Sequence, residues 1–157
     1  IGPLIGDAAL AKVERHVADA RRLGAQVVLG GRPHALGRTF YEPTILTGVT
    51  LDMAMTNEET FGPVAGITRF RDEAEAIRIA NDTPFGLAAY LYARDAARIW
   101  RVAEALESGM VGINTGLLST AEVPFGGVKE SGLGREGAHH GIEEWIEWKY
   151  LRWGGIA

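Results

Sequence analysis

Glu58 and Glu59 stand side by side immediately ahead of Thr60-Phe61-Gly62-Pro63. That short block brings together carboxylates, an aromatic ring and a Gly-Pro turn. A carboxylate beside a loop can accept hydrogen bonds from both hydroxyls of a ribose. A ring two positions further on can flank a flat heterocycle such as nicotinamide. Gly62 permits close backbone approach, and Pro63 stiffens the exit from the turn. The same block also reads as a charged turn ahead of a strand, and the residues alone leave both readings open. Far downstream lies a second dense block, Pro124-Phe125-Gly126-Gly127-Val128-Lys129-Glu130-Ser131-Gly132. The chain has no cysteine. It can therefore form no disulfide and no thiolate zinc site, and it carries no thiol nucleophile.

Other candidate chemistry fails on context. Gly132-Leu133-Gly134-Arg135-Glu136-Gly137 spells the glycine spacing of a dinucleotide fingerprint. A fingerprint needs a buried strand running into its first glycine and a second strand carrying a ribose-binding acid. Here the preceding residues are Val128-Lys129-Glu130-Ser131, and too little chain follows. His139-His140 with Glu143-Glu144 could offer metal ligands at helical spacing, but nothing else converges on them, and a solvated face is the expectation. Ser119 and Ser131 lack the Gly-x-Ser-x-Gly turn of a hydrolase nucleophile. No metal site is expected.

The elements that would position these residues alternate in type. From Asp7, a candidate N-cap, Leu10, Val13, Val17 and Ala20 recur at helix spacing as far as Gly24, a candidate stop. Residues 26–29 form a short β-rich run closed by Gly30-Gly31. Residues 39–49 carry β-type residues interrupted by Pro43, which predicts an irregular or edge strand. A strand is expected over 64–70, then a helix capped by Asp72, a strand over 87–92, a helix capped by Asp95 and a strand over 109–113. This order predicts an α/β fold with a largely parallel sheet and flanking helices. Residues 116–141 are long, glycine-rich and weakly periodic, the character of a functional loop. From Trp145 to Trp153, large apolar residues interleave with charged ones at period two, which predicts a final strand.

Bulk properties narrow the function. The chain has 157 residues, 46% hydrophobic and 23% charged, enough for a real core. Its formal charge is −4, with Lys and Arg scattered. That argues against a nucleic-acid partner, which requires a concentrated basic face. No apolar run approaches the roughly 18–20 residues that span a bilayer. A cytoplasmic location is the expectation. The opening Ile1-Gly2-Pro3-Leu4-Ile5 reads as the interior of a longer polypeptide.

In combination, the motifs resemble a family. Glu58-Glu59-Thr60-Phe61-Gly62-Pro63-Val64, Asn81-Asp82-Thr83-Pro84-Phe85-Gly86-Leu87, Pro124-Phe125-Gly126-Gly127 and Ser131-Gly132-Leu133-Gly134-Arg135-Glu136 follow one another as in aldehyde dehydrogenases. The resemblance extends over essentially the whole chain and places it in the carboxy-terminal part of that family's subunit. Gly112-Ile113-Asn114-Thr115-Gly116, Ser119, Pro124 to Lys129, and Gly141-Ile142-Glu143-Glu144 ahead of Lys149-Tyr150 are most similar to the succinate-semialdehyde dehydrogenase branch. Enzymes acting on glutarate semialdehyde would look alike.

The resemblance implies roles. Glu59 would bind the nicotinamide ribose of NAD or NADP, and Phe61 would pack beside the nicotinamide. Ser119 would hold the distal carboxylate of the aldehyde substrate, and Phe125 would wall its tunnel. Residues 1–142 would be a partial catalytic domain, and 143–157 an oligomerisation strand and tail building a dimer or tetramer. The nucleophilic cysteine, the general-base glutamate, most of the cofactor domain and the substrate-binding arginines would lie upstream of this chain. No catalytic residue is then expected within it, and it should be inactive alone. The competing expectation is a stand-alone, non-catalytic module of the same fold that associates or binds a small carboxylate.

Overall fold

The computed structural model describes residues 1–155, which form two compact units, Ile1–Thr83 and the described residues from Pro84 onward.

In the first unit, helix α1 (Asp7–Arg22) places Val13, His16, Val17 and Ala20 on its buried face. The helix begins one residue earlier than its sequence suggests. Gly6 is the N-cap, and Asp7 sits in the first turn, where its charge favours the positive end of the helix. The C-terminus closes as a Schellman motif. Gly24 N–H donates to Arg21 O and Ala25 N–H to Ala20 O, with Gly24 at φ +102°. Strands β1 (Gln26–Leu29), β2 (Thr44–Thr47) and β3 (Val64–Ile67) form one sheet, with β1–β2 antiparallel and β2–β3 parallel. The short helix α2 (Ala54–Asn57) lies on the β2–β3 connection. Its first N–H is taken by Asp19 Oδ2 of α1 at 2.9 Å. Arg22 pairs with the other oxygen of Asp19, and together these contacts hold that carboxyl below the usual carboxylate range, the Ala54 N–H contributing most. Val13, Val17, Ala20, Ala25, Tyr41, Leu46, Val49 and Met53 make the core. Helix α3 (Glu73–Asn81) follows, and Asp72 caps it by accepting from Glu75 N–H.

The segment around Pro43 departs from its expected edge position. β2 is the central strand of the three. Pro43 precedes the first strand residue, so its missing N–H falls outside the ladder. Thr44, almost fully buried, then satisfies its hydroxyl locally. It accepts from Gly31 N–H and donates to Glu42 O, both at 2.8 Å.

The second unit contains a βαβ element. β5 (Ala88–Leu91) and β6 (Met110–Ile113) pair in parallel and are joined through α4 (Ala96–Ala105), capped by Asp95. Asn114, at φ +55°, stitches the strand ends by exchanging two side-chain hydrogen bonds with the backbone of Ala93. β4 (Phe85–Gly86) and β7 (Val128–Lys129) form a separate antiparallel pair. A short 3₁₀ segment spans His140–Trp145.

Two expectations need correction. There is no single, largely parallel sheet among the described residues. Three small sheets hold two parallel and two antiparallel pairings. The alternation of element types is as expected. Pairing direction is decided by the connections, and the Gly- and Pro-rich turnback between β1 and β2 needs no crossover. The expected strand from Trp145 to Trp153 is also not formed. Trp145 ends the 3₁₀ segment, and 146–155 carry no regular element. Trp148, Tyr150 and Trp153 are more than four-fifths exposed. Period-two alternation supplies the faces of a strand but not the neighbouring backbone that makes one a ladder.

A candidate cofactor loop and a candidate substrate depression

The loop at 58–62 lies against α1. Arg15 reaches Glu58 through both guanidinium nitrogens, Nη2 at 2.7 Å and Nη1 at 3.3 Å. His16, fully buried one position along, places Nε2 3.2 Å from Glu58 Oε2 and Nδ1 3.0 Å from Thr60 Oγ1. The carboxylate can only accept, so Nε2 carries a proton. With a neutral ring, Nδ1 accepts from the threonine hydroxyl. These contacts hold the Glu58 carboxyl down to about 2, the Arg15 hydrogen bonds contributing most and His16 next. Glu58 is therefore a structural anchor.

Glu59 is presented the other way. Glu58 has extended backbone (φ −124°, ψ 142°), and successive side chains of an extended chain point to opposite sides. The side chains of Glu58 and Thr60 bond to α1, and Glu59 between them is exposed. The chain then turns sharply. Phe61 sits at φ +43° with 81% of its surface exposed. A non-glycine residue held in that region costs on the order of 1–3 kcal/mol and marks a constrained loop. Gly62 packs so closely on the helix that a Cβ there would lie 2.4 Å from Val13 Cγ2. The loop thus offers an exposed carboxylate and an exposed ring from a backbone fixed on its other side. A carboxylate that accepts and a ring that stacks fit a ribose diol and a flat heterocycle.

Ser119 and Phe125 lie in the second unit and line one depression of about 450 Å³ with Val123, Glu136 and Gly137. Phe125 is half-buried, and its backbone exchanges both hydrogen bonds with Glu136, at 2.8 and 2.7 Å. Ser119 is exposed. No basic residue lines this depression. Arg135 is near in sequence, but its Nη1 donates to the Gly127 and Gly134 carbonyls, both at 2.8 Å, which fixes it as a loop brace. The structure therefore brings together Glu59 with Phe61, and Ser119 with Phe125, each pair within its own unit.

Among the described residues no group of three or more His, Asp or Glu side chains is arranged to hold a metal ion, and no helix is long and apolar enough to cross a membrane. His140 instead pairs with Glu143 at 3.2 Å. The residues that sequence reasoning missed are Arg15 and His16. A signal was present: His16 shares the helical stripe of Val13, Val17 and Ala20, and a polar side chain on an apolar face demands buried partners.

The chain has counterparts in a known class of proteins. Residues 1–151 match the aldehyde dehydrogenase family, and the chain belongs to it. It is 63% identical over 155 residues to the glutarate-semialdehyde dehydrogenase of Pseudomonas aeruginosa, covering 99% of this chain and 32% of that protein. It is 58% identical to the NADP⁺ succinate-semialdehyde dehydrogenase of Escherichia coli, covering 96% of this chain and 31% of that protein. The crystal structure of succinate-semialdehyde dehydrogenase from Burkholderia pseudomallei superposes with a TM-score of 0.93 at 63% identity, covering 96% of this chain and 31% of that one. The chain spans about a third of the length of these relatives.

Proposed function

We propose that this chain is part of a longer subunit that oxidises a short semialdehyde carrying a distal carboxylate, succinate or glutarate semialdehyde, with NAD or NADP. The observation that carries this reading is the clamped loop presenting Glu59 and Phe61. The names of the relatives supply the substrate class. When bound, the nicotinamide group would accept a hydride from the substrate. The residues of this chain bind and orient. Glu59 accepts from the ribose hydroxyls beside the nicotinamide, and Phe61 flanks the ring. Ser119 donates to the distal carboxylate, and Phe125 walls the substrate. The order of the motifs supports a position towards the carboxyl end of the subunit, with residues 1–142 in the catalytic part and 143–157 in subunit association.

The chain has no cysteine, so the thiolate nucleophile must come from elsewhere in the subunit, and the chain alone should be inactive. The test uses the natural full-length protein. Its intact mass should be about three times that of this chain, as the coverage of the relatives implies. It should form NAD(P)H with both semialdehydes, while this chain produces none above a buffer blank. Substituting Glu59→Ala should raise the cofactor KM, lower kcat, or both, by about 1–3 kcal/mol in kcat/KM. Wild-type kinetics in that variant would return Glu59 to the role of a charged turn. A natural polypeptide no longer than this chain would support the non-catalytic module instead. Deleting residues 143–157 and measuring mass by light scattering tests the association role, which an unchanged oligomer would remove.

A further inference from the structure

We propose that His16 is the positioning residue of the cofactor loop: its two ring nitrogens clamp Glu58 and Thr60, and so set the side and height at which Glu59 and Phe61 meet the nicotinamide end of the cofactor. The inference rests on the proposed role of those two residues. His16 touches neither cofactor nor substrate in that reading and acts through the loop. It is fully buried, on a helix rather than on the loop itself. Its contacts fall on the residues that bracket Glu59, at 3.2 and 3.0 Å. Fixing the side chains on both sides of Glu59 restricts the backbone that carries it. A helix is a stiffer reference than a loop, so the loop inherits its placement from α1.

The clamp also explains the apolar neighbourhood of a polar side chain. An imidazole among Val13, Val17 and Ala20 is tolerated because both nitrogens are satisfied. Arg15 does not duplicate it. Arg15 and Glu58 are both about half exposed, and Arg15 grips only the near end of the segment. Thr60 is reached by His16 alone among the described hydrogen bonds to its side chain. His16 therefore controls the stretch between the anchor and the left-handed turn at Phe61.

The experiment uses the full-length subunit with Thr60→Val, Thr60→Ser, His16→Ala and the double variant His16→Ala/Thr60→Val. It reads NADH and NADPH dissociation constants by fluorescence, kcat, KM for cofactor and for aldehyde, and melting temperature. Thr60→Val keeps the shape of the side chain and removes the hydroxyl, so it tests the clamp even where His16→Ala fails to fold. Thr60→Val should raise the cofactor dissociation constant and KM about fivefold or more, as one lost hydrogen bond predicts. The aldehyde KM should change less than about twofold, and Thr60→Ser should recover wild-type values. The double variant should be no worse than His16→Ala, because one interaction is removed twice. Unchanged cofactor binding in Thr60→Val, or an equal rise in both KM values, would overturn the clamp while leaving the enzymatic reading intact. A wild-type subunit that binds neither cofactor would overturn both.

Discussion

Gly62→Ala offers the most direct probe of the loop. A methyl group at this position would sit 2.4 Å from Val13 Cγ2. Carbon atoms are comfortable at about 3.5–4.0 Å, so the pair must separate by about 1 Å or more. Val13 cannot yield readily. It is fully buried in the core, and a β-branched side chain in a helix has one strongly preferred rotamer. The loop must therefore lift away from α1. The strain should cost about 1–3 kcal/mol in stability, as overpacking does. Displacing the segment that carries Glu59 and Phe61 by about 1 Å should lower kcat/KM for cofactor up to about a hundredfold in the full-length subunit. Steady-state kinetics and thermal unfolding, measured on the same preparations, give the two numbers. Val13→Ala supplies the control. Alone it should destabilise the fold and spare the kinetics; combined with Gly62→Ala it makes room for the methyl and should restore most of the rate. A Gly62→Ala enzyme of unchanged kcat/KM, or a double variant with no recovery, would refute the argument that this contact sets the height of the loop.

Leu46, fully buried at the centre of the three-stranded sheet, should cost about 2–5 kcal/mol when changed to alanine, read as a shift in urea midpoint at constant slope. Glu58 titrates near 2 in the fold against an ordinary 4.5, so its contribution is complete above about pH 4.5 and is lost as pH falls from there towards 2. The wild-type unfolding midpoint should therefore fall more steeply below pH 4.5 than that of Glu58→Gln, and parallel curves would remove the carboxylate from the acid response. Ser119→Ala should lower kcat/KM for a carboxylated semialdehyde by about 1.5–3 kcal/mol relative to an uncharged aldehyde of the same length. Equal losses on both substrates would make Ser119 structural.

Some of this was legible from residue order because its causes are local. Asp72 and Asp95 cap their helices as their positions predict, since an N-cap needs only a short polar side chain ahead of an apolar period. Gly24 closes α1 because only the left-handed region lets the chain turn there without strain. The pairing of the strands was less legible. Pro43 looked like an edge marker, yet it stands just outside the central strand, and its position relative to the ladder emerges only once partners are chosen. The stretch from Trp145 to Trp153 has the alternation of a strand and no ladder. A strand is a relation between two segments, and one segment's pattern carries half of it.

The loop at 58–62 shows the same limit at the level of a site. The acidic pair was visible at once, but the sequence treats two adjacent glutamates as equivalent. Tertiary contacts divide them. Glu58 is turned onto Arg15 and His16, and its carboxyl is held far below the usual carboxylate range. Glu59 is left exposed, without a partner among the described hydrogen bonds and ion pairs. What separates the anchored carboxylate from the exposed one is a helix more than forty positions upstream. The separation follows from a physical requirement, because a buried imidazole must find partners for both nitrogens. With His16 on the inner face of α1, its bonds to Glu58 and Thr60 hold the residues on either side of Glu59, which is itself exposed. The buried polar residue in an apolar stripe was thus the better guide to how the loop works, although the conspicuous carboxylates marked where to look.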